Sequence, residues 1–154
     1  MGDVRAKYTG WQTVLLQNRN ILREDFSRIG EEGCLFLCLC SIAEEWNEAR
    51  HNQRRVDVLD LYIKSRSNGF LEDGFFCRDQ CAMLALATGT EWKKEIFPRL
   101  PDPVPWQSFT VERWDNKRTG KTHFRRRWGD SIVSSVTVRE GSLSGYYVYS
   151  AVIE

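Results

Sequence analysis

Apolar residues crowd one stretch of the chain, Gly33-Cys34-Leu35-Phe36-Leu37-Cys38-Leu39-Cys40-Ser41-Ile42-Ala43, and the polar run Glu44-Glu45-Trp46-Asn47-Glu48-Ala49-Arg50 follows at once. The first part leaves no face for water, so the pattern predicts a helix buried on every side at its start and reaching solvent at its end. Upstream, Trp11, Val14, Leu15, Ile21 and Leu22 recur at helical spacing and predict an amphipathic helix over roughly 10 to 25. A polar link from Asp25 to Glu32, anchored by Phe26 and Ile29, joins the two. Downstream, Val56, Leu59, Tyr62 and Ile63 mark a helix ending at Asn68-Gly69, with Gly69 as its left-handed cap. Leu71-Glu72-Asp73-Gly74 reads as a turn, and Arg78 to Thr88 as an apolar helix stopped by Gly89.

The pattern then changes. Pro98, Pro101, Pro103 and Pro105 are all the prolines of the chain, and they forbid helix across one short seam. Beyond it, period-two alternation predicts strands at Phe109 to Trp114, Thr122 to Trp128, Ile132 to Val138 and Tyr146 to Ile153, with turns at Asp115 to Gly120 and Glu140-Gly141. Helices first and strands afterwards predict an α+β fold in one domain, N-terminal helices (about 1–97) packed on a C-terminal antiparallel sheet (about 106–154).

Composition narrows the function classes. The chain has 154 residues, with 22 basic against 21 acidic, so no global field marks a nucleic-acid or membrane protein. The charged start, Met1 to Lys7, has no signal-peptide apolar run and no stretch approaches a membrane span, so the expectation is a soluble cytoplasmic protein without a membrane partner. Five cysteines, three of them crowded on one helix, argue for reduced thiols rather than a disulfide framework. Cys34-x-x-x-Cys38 with Cys77-x-x-x-Cys81 invites a zinc reading, but structural zinc sites prefer shorter knuckles on turns, so no metal and no cofactor is expected. Cys34 in the first helical turn has a reactive alternative, because unpaired N–H groups and the helix dipole there favour the thiolate.

Three separated motifs carry a family likeness: Gly33-Cys34-Leu35-Phe36, Thr119-Gly120-Lys121-Thr122-His123-Phe124, and Asp130-Ser131 followed by Val136-Thr137-Val138-Arg139-Glu140-Gly141. From about residue 30 to the end, the chain resembles a small bacterial family of unknown function, itself similar to the papain-like cysteine peptidases near the bacteriocin leader-peptide-processing ones. The resemblance implies a papain-like fold and a thiol hydrolase acting on a peptide or protein substrate. It places Cys34 on the nucleophile, His123 on the general base and Asp130 on the residue that orients the imidazole. The chemistry of those residue types agrees, since a thiol needs a neighbouring imidazole to ionise and the imidazole needs a carboxylate or amide to fix its tautomer. The other histidine, His51, lies ~25 Å beyond Cys34 at the helical rise if the helix runs on.

A hairpin turning about Arg126-Arg127 would oppose positions 123 and 130 at about 5 Å, whereas a turn at Gly129-Asp130 would put Asp130 at the tip and leave Asp115 or Asn116 as the third member. The leader-processing relatives carry an oxyanion glutamine about six residues before the cysteine. Arg28 stands there, as an oxyanion or substrate-binding residue or as a plain surface arginine. Glu31 and Glu32 beside Cys34 would raise its pKa. The class opposed to the hydrolase is therefore a catalytically inactive papain-like binding module. A basic aromatic hairpin for nucleic acid, built on Arg125 to Arg127 with Trp114, Phe124 and Trp128, is the weaker third reading, because charge runs mostly face solvent. Thr119-Gly120-Lys121-Thr122 is no phosphate loop, since Asp115 holds the first glycine's place and a strand follows.

Overall fold

The computed structural model describes residues 33–72, 76–127 and 141–153. The expected helix over 10 to 25, the link to Glu32 and the strand from Ile132 to Val138 lie outside those residues. Helix α1 (Cys34–Ala49) forms the centre. Leu35 to Ala43 are buried without a break, and Trp46 and Asn47 continue the buried side while Ala49 and Arg50 emerge. Asn47 is buried because its amide is used twice, donating to the Ala87 carbonyl at 3.1 Å and accepting from Asn52 at 3.0 Å.

Helix α2 (Val58–Ser67) starts at Asp57, whose carboxylate accepts the Asp60 N–H. It ends as its glycine predicts, with Gly69 at φ 74°. Its buried stripe agrees with expectation in part. Val58, Leu61 and Ser65 face the core and Val56 and Tyr62 pack against it, whereas Leu59 and Ile63 are exposed. Two short antiparallel strands, β1 (Leu71–Glu72) and β2 (Phe76–Cys77), lead to α3 (Gln80–Thr88), which closes at Gly89 with φ 72°.

Asp79 caps α3 through its carboxylate, which accepts the Ala82 N–H at 3.0 Å. Asp79→Ala is expected to cost about 1 kcal/mol of stability in urea denaturation, with Asp79→Asn retaining most of it, because either side chain can accept that orphan donor.

The sheet has the order β3-β6-β4-β5, antiparallel throughout: β3 (Trp92–Phe97), β4 (Ser108–Asn116), β5 (Lys121–Arg126) and β6 (Ser142–Ala151). The fold is α+β. One correction follows: β3 precedes the proline seam, inside the half read as helical, and pairs along its whole length with β6. Its sequence, Trp-Lys-Lys-Glu-Ile-Phe, lacks clean alternation because Lys94 points to the helical side with its Nζ 4.8 Å from the Tyr147 ring. The seam itself carries neither helix nor strand.

Helix α1 is held on the sheet by an aromatic triangle. Trp46 meets Trp92 edge-on at 5.3 Å and Phe109 at 6.5 Å, and Trp92 lies 5.9 Å from Phe109. Trp92 donates its indole N–H to Thr88 at 2.9 Å and is buried in the core. Arg50 lies 4.2 Å over the Trp46 ring and donates to Gln107 at 2.7 Å, tying the end of α1 to the seam. Among the described residues no helix is long and apolar enough to cross a membrane.

Candidate functional site

Cys34 opens α1 at Gly33, where no side chain caps the helix. The backbone of Phe124 on β5, of Leu35 and of Cys34 itself favours the thiolate. Burial outweighs this and pushes the Cys34 thiol above its ordinary range. The helix N-terminus thus meets the strand that bears His123, one residue from it.

His123 is directed elsewhere. Side chains alternate along β5. Arg126 reaches Ser41 and Glu45 on α1, and Phe124 packs against the core with its ring 5.4 Å from Tyr147, so even-numbered positions face the helix. His123 and Arg125 therefore face the opposite side, where His123 stands across from Trp114 and Arg125 bonds Glu112 at 2.6 Å. The imidazole is buried, and burial, helped by the Arg125 charge, pulls its pKa down to about 4. It is neutral at physiological pH. The structure brings Cys34 to the strand of His123 but does not turn the imidazole toward the sulfur.

Arg28 and Asp130 lie outside the described residues, as do Glu31 and Glu32. Of the fallback orienting groups, Asp115 accepts from the Thr122 hydroxyl at 2.6 Å and pairs with Arg113 at 3.4 Å, contacts that hold its carboxyl below the usual range. Asn116 accepts the N–H groups of Arg118 and Thr119 and shapes the β4–β5 turn. His51 sits in the turn after α1 and is exposed.

Cys38, Cys40 and Cys77 are core thiols, and Cys81 is half-buried at its edge. Cys38 and Cys40 are pushed up by burial, and Cys77 to about 12 by burial and the neighbouring Cys34. All five are free. Among the described residues no group of three or more His, Cys, Asp or Glu side chains is arranged to hold a metal ion.

Two features escape sequence reasoning because each joins residues distant in the chain. Tyr149, fully buried, donates its hydroxyl to the Gln80 side chain in a short bond. Arg126, read from sequence as part of a solvated basic run, is 7% exposed and bridges Ser41 at 2.8 Å and Glu45 at 2.7 Å. Beside this bridge a cavity of about 310 Å³ opens between the seam and β4, lined by Glu45, Val104, Ser108, Phe109, Thr110, Arg126 and Arg127. Trp106, 84% exposed, stands between two of those lining positions in the chain. No family model matches the chain, no curated protein matches it, and no solved structure matches it.

Proposed function

We propose that the chain is a papain-like scaffold acting as a binding module for an extended peptide, without hydrolysis. The observation that supports this reading is the state of the two candidate reactive groups. Cys34 carries a thiol that burial keeps protonated, and His123 carries a neutral imidazole on the other face of β5. Cys–His hydrolysis requires the base within hydrogen-bond reach of the nucleophile and an ionisable pair near neutral pH. The cavity at the seam offers what a peptide site needs, an apolar wall from Val104 and Phe109 beside the polar groups of Ser108 and Glu45.

One observation favours the second reading, a Cys34 hydrolase. The backbone of Phe124, Leu35 and Cys34 favours the thiolate, and Phe124 is the chain neighbour of His123. The test is the pH dependence of iodoacetamide labelling at each thiol. For the binding module, Cys34 labels slowly near neutral pH, accelerates only above the ordinary thiol range of about 8.5, and does so equally in His123→Ala. Fast neutral labelling that His123→Ala slows would transfer the conclusion to the hydrolase.

A further inference from the structure

Strand β3 forms one edge of the sheet, and among the described residues no strand pairs with its outer side. The ladder fixes which backbone groups point outward. Val152 donates its N–H to the Glu91 carbonyl at 2.7 Å, extending the β3–β6 pairing by one residue. In an antiparallel ladder bonded residues alternate, so Glu91, Lys93, Glu95 and Phe97 bond inward. Trp92, Lys94 and Ile96 therefore present their N–H and C=O groups to the outside.

The same six residues are complementary to themselves. A two-fold axis perpendicular to the sheet at Lys94 pairs residues of equal parity, as one continuous sheet requires. Trp92 then bonds with the second copy's Ile96, Lys94 with the second copy's Lys94, and Ile96 with the second copy's Trp92, all through the outward-pointing groups. Lys93 falls opposite the second copy's Glu95, and Glu95 opposite the second copy's Lys93. These are the closely spaced non-bonded pairs, in which facing side chains interact most strongly. Lys93 and Glu95 are both exposed. Lys94, facing its own copy across the axis, has its ammonium drawn back over the Tyr147 ring of its own sheet, away from the axis. Ile96, 61% exposed, gains cover at the same time.

We propose that β3 is a homodimerisation edge, joining two copies antiparallel at Lys94 so that four strands from each make one sheet, with reciprocal Lys93–Glu95 pairs setting the register. An open strand of this length invites pairing, and lysine in an edge strand works against it unless its charge meets an opposite charge or is drawn away, as that of Lys94 is over Tyr147. Lys93 meets the second copy's Glu95.

Sedimentation equilibrium on the full chain tests the proposal. Wild type is expected to associate reversibly between about 10 µM and 1 mM, the weak range suited to a small interface, and less so at high salt. Glu95→Lys places like charges opposite each other twice and is expected to weaken association by about tenfold. The double exchange Lys93→Glu with Glu95→Lys restores the reciprocal pairs and is expected to recover it. Both positions are exposed, and circular dichroism checks that each variant folds. A monomer at every concentration overturns the proposal, as does association that Glu95→Lys leaves unchanged or that the double exchange leaves weakened.

Discussion

Arg126→Ala lowers the free energy of unfolding by about 3 kcal/mol, read from urea denaturation at neutral pH. The side chain is 7% exposed and its two terminal nitrogens bond Ser41 and Glu45, both on α1. Its guanidinium also lies 5.4 Å from the Phe109 ring. Removing it takes the Ser41 hydroxyl's partner away in a buried place and leaves the Glu45 carboxylate without its cation. The stem packs as well, so Arg126→Met is expected to recover part of the loss by keeping that contact without the charge. Glu45→Ala is the sharper comparison, because it leaves a cation buried on the sheet. A double-mutant cycle between the two positions separates their coupling from the packing.

Acid exposes the second large effect. His123 titrates at about 4 in the folded chain against an ordinary 6.5, so the unfolded chain binds the proton first as pH falls. The stability that this neutral imidazole preserves is fully present above 6.5 and is lost progressively down to about 4. Its total is on the order of 3 kcal/mol. Unfolding free energy measured across that window should fall with acid in the wild type and fall much less in His123→Gln, which has no proton to take up. An identical acid slope in both proteins would remove His123 from the account. The direction also bears on the site: a base needed as imidazolium near neutral pH would titrate far higher.

Much of the helical layer was legible in the sequence. The buried run from Leu35 to Ala43 has one reading as a helix, and Gly69 and Gly89 end α2 and α3 through left-handed backbone that other residues avoid. The proline seam equally stands where its missing donors require. Strand β3 was not legible, because two lysines and a glutamate among six residues hide the alternation, and only the presence of β6 beside it makes the segment a strand. The stripe of α2 was legible only in part: Val56 and Tyr62 pack against the core, but Leu59 and Ile63 are apolar and exposed, and nothing local distinguishes them from Val58 and Leu61.

The candidate site was legible in part. Cys34 at the mouth of the central helix follows from the apolar run alone. The meeting of that helix with the strand of His123 depends on the likeness of motifs and on the tertiary fold. The direction of the imidazole depends on register, which a single residue's slip would invert. Arg126 shows the same limit. Three consecutive arginines look like one solvated patch, yet alternation sends Arg126 to the core and its neighbours to the other side.

The position of β6 bears on how the chain is made. Residues 142–151 lie between β3 and β4, although the chain reaches them last of the four. While the polypeptide emerges from the ribosome, β3 and β4 are synthesised as neighbours in sequence but have no ladder to share. Each waits with an open side for a partner about fifty and thirty residues downstream respectively, a high contact order that slows closure. Until that partner arrives, the nascent chain holds a finished helical layer over an incomplete sheet, the interval in which a chaperone or an aggregate would compete for it.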